Sequence, residues 1–164
     1  MSHQNYFEYK ILLIGDGGVG KKSIISQYVM NTFMEDYDPY YFDEEFRKQI
    51  MVDEEIYILS IYPTSLNEEW AAMTDSMIRS ANAFILVYSI NSRESFNHLQ
   101  NYIDRIKQVK DSDVIDILGI VGAKQDLESQ REVATQEARI FSEAHLALFL
   151  ECSAKNEINI TKHF

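Results

Sequence analysis

The sequence predicts an α/β fold, a six-stranded and mostly parallel sheet with helices on both faces. Three observations predict it. Short apolar runs alternate with stretches of helical periodicity along almost the whole chain, the pattern of strands interleaved with covering helices. A glycine-rich loop follows the first apolar run directly and opens a helix. The single break in the alternation is a pair of strand-like segments around Asp53-Glu54, which reads as an antiparallel hairpin.

Each element follows from its own pattern. Tyr9–Ile14 is an apolar run ending in glycine and reads as a buried strand. Lys21–Met30 places Ile24, Ile25, Tyr28 and Val29 at helical spacing. Phe46–Val52 and Ile56–Tyr62 alternate apolar and polar residues, as half-buried strands do. Glu69–Arg79 is a helix candidate, and Ala83–Ser89 a strand. Ser92–Lys110 reads as one long amphipathic helix, capped by Ser92, with Phe96, Leu99, Ile103 and Ile106 turned inward. Ile115–Val121 is a strand, Thr135–His145 a helix and Leu148–Cys152 a last short strand. In such sheets ligands sit beyond the carboxyl ends of the strands, and the motifs below all fall there.

Composition sets the outer bounds. The 164 residues suit one domain with a real core, and 46% apolar with 25% charged residues is an ordinary globular balance. A net charge of −11 opposes binding to nucleic acid and repels an anionic membrane. Cys152 is the one cysteine, so no internal disulfide forms, and it reads as a small buried apolar residue. No run approaches the ~20 apolar residues of a membrane span, no signal peptide leads the chain, and no prenylation cysteine closes it. The expectation is a cytoplasmic chain, membrane-associated only if a longer chain carries an anchor.

Gly15-Asp16-Gly17-Gly18-Val19-Gly20-Lys21 fills the spacing of a Walker A loop in its required strand-to-helix context. Glycines let successive backbone N–H groups converge on phosphates, and the helix start adds partial positive charge. The candidate phosphate-binding residues are Gly15, Gly17, Gly18, Val19, Gly20, Lys21, Lys22 and Ser23. Lys22 stands where a Ser or Thr hydroxyl should bind Mg²⁺. Ser23 does not replace it, because one residue along a helix turns a side chain by about 100°. The Lys22 ammonium either partly neutralises phosphate charge near the vacated metal site or points into solvent.

With Glu8-Tyr9-Lys10 before this loop, the chain resembles the Ras superfamily of small GTPases, its Ras/Rap branch most closely. The resemblance continues through Asn31-Thr32-Phe33, Tyr37-Asp38-Pro39, Phe46-Arg47-Lys48-Gln49, Val109-Lys110-Asp111, Val121 to Asp126 and Glu151 to Lys155. It covers the chain from about residue 6, and implies a P-loop NTPase G domain over residues 9–164 after an N-terminal extension of residues 1–8. It also implies GDP or GTP as ligand. Asp126 matches the carboxylate that accepts two guanine N–H bonds, and Lys124 the lysine whose stem packs on the base. Phe33 resembles the aromatic over the ribose, and Ser153, Ala154 and Lys155 the loop that caps the guanine oxygen. Ala123 replaces the family's Asn, a loss of about 1–3 kcal/mol in binding.

The hydrolytic apparatus departs from the family at every position. Besides Lys22, Tyr40 replaces the switch-one threonine that touches metal and γ-phosphate. Pro63-Thr64-Ser65-Leu66-Asn67 stands for Asp-Thr-Ala-Gly-Gln. Pro63 thus occupies the metal-organising aspartate's place, Leu66 crowds the approach that glycine permits, and Asn67 is a short and doubtful substitute for the water-positioning glutamine. A one-residue shift around Asp43-Glu44-Glu45 restores none of these. No metal site and no intact catalytic set is therefore expected, and Mg²⁺ is not expected to be held by protein side chains.

The resemblance places an effector region at Asp38, Pro39, Tyr40 and Asp43, next to an edge strand that receives protein partners by strand addition. The acidic edge either attracts a basic partner or guards against aggregation. His3, His98, His145 and His163 show no ligand spacing and read as surface or helix residues. The family's last helix runs well past Asn159–Phe164, so the sequence is expected to be a domain cut from a longer chain. The functional expectation is a pseudo-GTPase acting through effectors or regulators. The alternative is a divergent but active GTPase switching between GDP and GTP.

Overall fold

The computed structural model describes residues 6–33, 45–66 and 71–160. Six strands, β1 (Tyr6–Ile14), β2 (Phe46–Val52), β3 (Glu55–Thr64), β4 (Ala83–Ser89), β5 (Leu118–Ala123) and β6 (Leu148–Glu151), form one sheet in the order β2-β3-β1-β4-β5-β6. Every neighbouring pair is parallel except β2 with β3. The helices are α1 (Lys21–Met30), α2 (Ala71–Ser80), α3 (Arg93–Asn97), α4 (Leu99–Lys110) and α5 (Thr135–Ala144). The expected α/β sheet with helices on both faces is what the chain forms.

Strand alternation divides the core into two layers. Ile11 and Leu13 of β1 join Leu59, Ile61, Ile85 and Val121 against Ile24, Ile25 and Tyr28 of α1. Leu12 and Ile14 join Phe84, Leu86, Tyr88 and Ile120 on the other face, against Ile78 of α2, Leu99, Ile103 and Ile106 of α4 and Ala138 of α5. β4 is buried along its whole length, which explains its uninterrupted apolar run.

Several boundaries differ from the sequence expectation. β1 begins at Tyr6, because Tyr6, Phe7 and Glu8 continue the parallel pairing with Ile56, Tyr57 and Ile58 of β3. The long helix from Ser92 is divided at His98 into α3 and α4. Ser92 does cap it, accepting from the Ser95 N–H, but Ser95 Oγ donates back to the Ser92 carbonyl and competes with the helical ladder. β5 starts at Leu118 rather than Ile115, since its register on β4 begins at Phe84↔Leu118. A 3-10 helix at Gln125–Gln130 was not anticipated. The chain to Ile160 is not helical at Asn159, whose φ of 59° is left-handed, but closes a turn through the Ser153↔Ile158 bridge. Among the described residues no helix is long and apolar enough to cross a membrane.

Candidate functional site

The loop between β1 and α1 is fixed from both sides. The Gly15 N–H donates to the Thr64 carbonyl at 3.2 Å and the Val19 N–H to the Asp16 carbonyl at 3.4 Å. A Cβ on Gly15 would stand 2.2 Å from the Val87 carbonyl oxygen, so only glycine lets the loop lie this close to β4. Gly20 precedes α1 with φ 107°, offers no capping side chain, and is followed by a first turn without an acidic residue. Such a helix start presents backbone N–H groups and partial positive charge, the complement of an anion.

Lys21 curls over this loop. Its Nζ donates to the carbonyls of Gly15 at 2.5 Å and Asp16 at 2.8 Å. Burial pulls its pKa down from 10.5 to about 8, opposed by the Asp16 charge and helped by the charge of Lys22. Two ammonium groups that disfavour one another are relieved by a shared anion. Lys22 and Ser23 lie half-buried in the same turn.

Two further loops reach this cradle from the ends of β5 and β6. Lys124, directly after β5 and in the left-handed region at φ 63°, donates from Nζ to the Gly18 carbonyl at 2.6 Å. Asp126 lies in the first turn of the 3-10 helix and accepts from Ser153 Oγ at 2.7 Å. The Gln125 N–H donates to the Cys152 carbonyl at 2.9 Å, which ties the two loops together. Ala154 is buried and its carbonyl accepts from Gln27 of α1 at 2.9 Å, while Lys155 is exposed. Phe33, beyond α1, is half-buried against the α1-side core. Phosphate loop, Lys124, Asp126 and Ser153 thus converge beyond the carboxyl ends of β1, β5 and β6, the place where open α/β sheets take ligands.

The end of β3 completes the near wall. Pro63 is buried and pairs with Leu13, beyond the last β2 partner, Phe46↔Ile61, so its missing N–H costs the ladder with β2 nothing. Leu66 adopts φ 49° and packs against the α4-side core, a backbone that glycine takes without strain and leucine at roughly 1–2 kcal/mol. Its N–H donates to Thr64 Oγ1 at 3.3 Å. Asn67 and the residues Asp38, Pro39, Tyr40 and Asp43 lie outside the described residues. Among the described residues, no three His, Cys, Asp or Glu side chains come together as a metal cluster.

One constellation escaped the sequence reading. His98, a partly exposed histidine at the α3–α4 junction as expected, places Nδ1 2.7 Å from Asp16 Oδ2, and Tyr102 donates its hydroxyl to Asp16 Oδ1. Burial, with the hydrogen bond and charge of Asp16, raises the Tyr102 pKa, so the phenol stays protonated. The partners are separated by 82 and 86 residues, and no local pattern could have announced them.

Comparison with known proteins agrees with this geometry. The model of the Ras family matches residues 10–164. The chain is 41% identical over 157 residues to Ras-like protein 1 of Saccharomyces cerevisiae, covering 96% of this chain and 50% of that protein. It is 39% identical over 163 residues to Ras-like protein rasW of Dictyostelium discoideum, covering 99% of this chain and 74% of that protein. The chain therefore spans about half the length of the first relative and about three-quarters of the second.

Proposed function

The chain belongs to the Ras family, and on that premise we propose that it is a pseudo-GTPase: a guanine-nucleotide-binding interaction module with little or no hydrolysis. GDP or GTP is the ligand. The phosphates take the backbone of Gly15, Gly17, Gly18, Val19 and Gly20 with Lys21, Lys22 and Ser23. Guanine takes Asp126 and Lys124, with Phe33 at the ribose and Ser153, Ala154 and Lys155 closing the loop. In support, Asp126 and Lys124 are anchored to Ser153 and the phosphate loop by 2.7 Å and 2.6 Å hydrogen bonds.

The observation that carries the catalytic half is the donor set at the metal's place. Mg²⁺ demands hard oxygen ligands in near-octahedral geometry. At the positions that supply them in the resemblance stand the Lys22 ammonium and the buried Pro63 ring, and an ammonium repels a divalent cation. These residues do not fit the ion. Lys22 instead supplies positive charge from the protein itself. Without a divalent ion the transferred phosphoryl group loses several kcal/mol of charge stabilisation, and about 1.36 kcal/mol is tenfold in rate. Protein partners meet the effector region Asp38, Pro39, Tyr40 and Asp43.

Two measurements on freshly purified protein test this reading. Denaturation followed by chromatography identifies any nucleotide carried through purification, and a single-turnover assay follows bound GTP in Mg²⁺. Guanine nucleotide that survives unhydrolysed is the predicted result. Mg²⁺-dependent turnover that disappears in Lys21→Ala overturns it in favour of a divergent, working GTPase.

A further inference from the structure

We propose that His98 and Tyr102 of the α3–α4 segment are positioning residues, which hold the Asp16 carboxylate turned away from the phosphate cradle so that the loop accepts a polyanion. The inference rests on the nucleotide-binding reading above. Asp16 is an acid inside a loop whose backbone converges on phosphate, and its charge would repel the ligand. Its backbone and side chain face different neighbours. The carbonyl accepts from Lys21 Nζ at 2.8 Å, on the cradle side. Its side chain meets the α3–α4 segment instead, where Oδ2 lies 2.7 Å from His98 Nδ1 and Oδ1 accepts from the Tyr102 hydroxyl. Both carboxylate oxygens are thus engaged, and the side chain is 24% exposed.

The alternative place for that carboxylate is the Lys21 ammonium, whose charge it already supports. A released Asp16 would compete with phosphate for Lys21 and add repulsion besides. His98 and Tyr102 remove that competition from one side of a cleft of about 520 Å³ that also takes in Gly17, Ser65 and Leu66. Asp16 and Gly17 of the loop line this cleft together with His98, Asn101 and Tyr102, so groups on the α3–α4 segment act on the charge of the loop that the ligand meets.

Isothermal titration of GDP in EDTA tests the proposal across four proteins, each first checked for an unchanged circular-dichroism spectrum and melting temperature. The His98→Gln/Tyr102→Phe double variant is expected to bind about tenfold more weakly than wild type. Asp16→Ala is expected to bind at least as well as wild type. The triple variant, Asp16→Ala/His98→Gln/Tyr102→Phe, is expected to return to the affinity of Asp16→Ala, a rescue that a merely structural role cannot give. An undiminished double variant, or a triple variant as weak as the double, overturns the inference and leaves nucleotide binding standing. Failure of the wild-type protein to bind GDP overturns both.

Discussion

The Lys21 ammonium is held between burial, which disfavours its charge, and the carbonyls of Gly15 and Asp16, which accept its protons. Its folded pKa of about 8 lies below the ordinary 10.5. Between those values the unfolded chain binds the proton that the folded chain has released, so stability rises with pH through that window. Below about 8 the cost of the buried charge is fully present. A phosphate favours the charged form, so nucleotide affinity moves the other way and falls as pH rises through about 8. Titrations between neutral and alkaline pH check both signs, and Lys21→Met is expected to flatten both profiles. Lys22 makes a separate prediction. If its charge replaces that of a metal, Lys22→Ala weakens GDP binding in EDTA by about tenfold, while a surface lysine such as Lys107 replaced by Ala leaves it unchanged. At this scale the glycine loop and Lys21 stand out because their residues are adjacent in the sequence, whereas Lys124 and Asp126 are singled out only by the family resemblance. Asp16, His98 and Tyr102 are not singled out, because their partnership exists only once the α3–α4 segment packs against β4, the strand next to β1.

Among the elements, the hairpin was read with its turn at Asp53-Glu54, and the chain forms it there. Val52 pairs with Glu55 across a two-residue connection in which Asp53 and Glu54 take φ 49° and 67°. Two positive φ values make this the primed turn that matches strand twist, with glycine favoured at its second position. Glu54→Gly is therefore expected to stabilise the domain by about 1 kcal/mol, read as a higher denaturant midpoint with an unchanged slope; a lower midpoint contradicts the turn assignment. The strand β4 was legible as an unbroken apolar run buried on both faces, and α5 because Ala138 and Ser142 fall one helical turn apart on its buried side. Boundaries failed where a partner, and not the local pattern, decides. Ile115 and Ile117 look like strand, yet the register of β5 on β4 begins only at Phe84↔Leu118, with the Ile117 carbonyl accepting from Phe84 N–H at 3.0 Å. The long helix divides at His98 although its apolar face runs on, and the His98 ring there lies against Asp16 of the β1–α1 loop.

On the scale of the whole molecule, three loops from distant strands meet over one cradle, and Cys152 lies beneath them. It is fully buried, and burial with the neighbouring Asp126 and Glu151 charges pushes its thiol up to about 12. Its reaction with a thiol reagent at neutral pH is expected only on opening of the β6 end, and saturating GDP is expected to slow it. Labelling at the unfolded-chain rate in the absence of denaturant contradicts that packing. The parallel sheet was legible from alternation alone, while the convergence of its loops required the strand order that brings β1, β4, β5 and β6 side by side. The central proposal is electrostatic: that this cradle neutralises phosphate with lysine where the family resemblance implies a metal. The most direct measurement is the affinity for GDP in excess Mg²⁺ against that in EDTA, on nucleotide-free protein. The account predicts two dissociation constants within about threefold of each other, a difference of roughly 0.7 kcal/mol. Binding that tightens by about a hundredfold or more with the metal contradicts it.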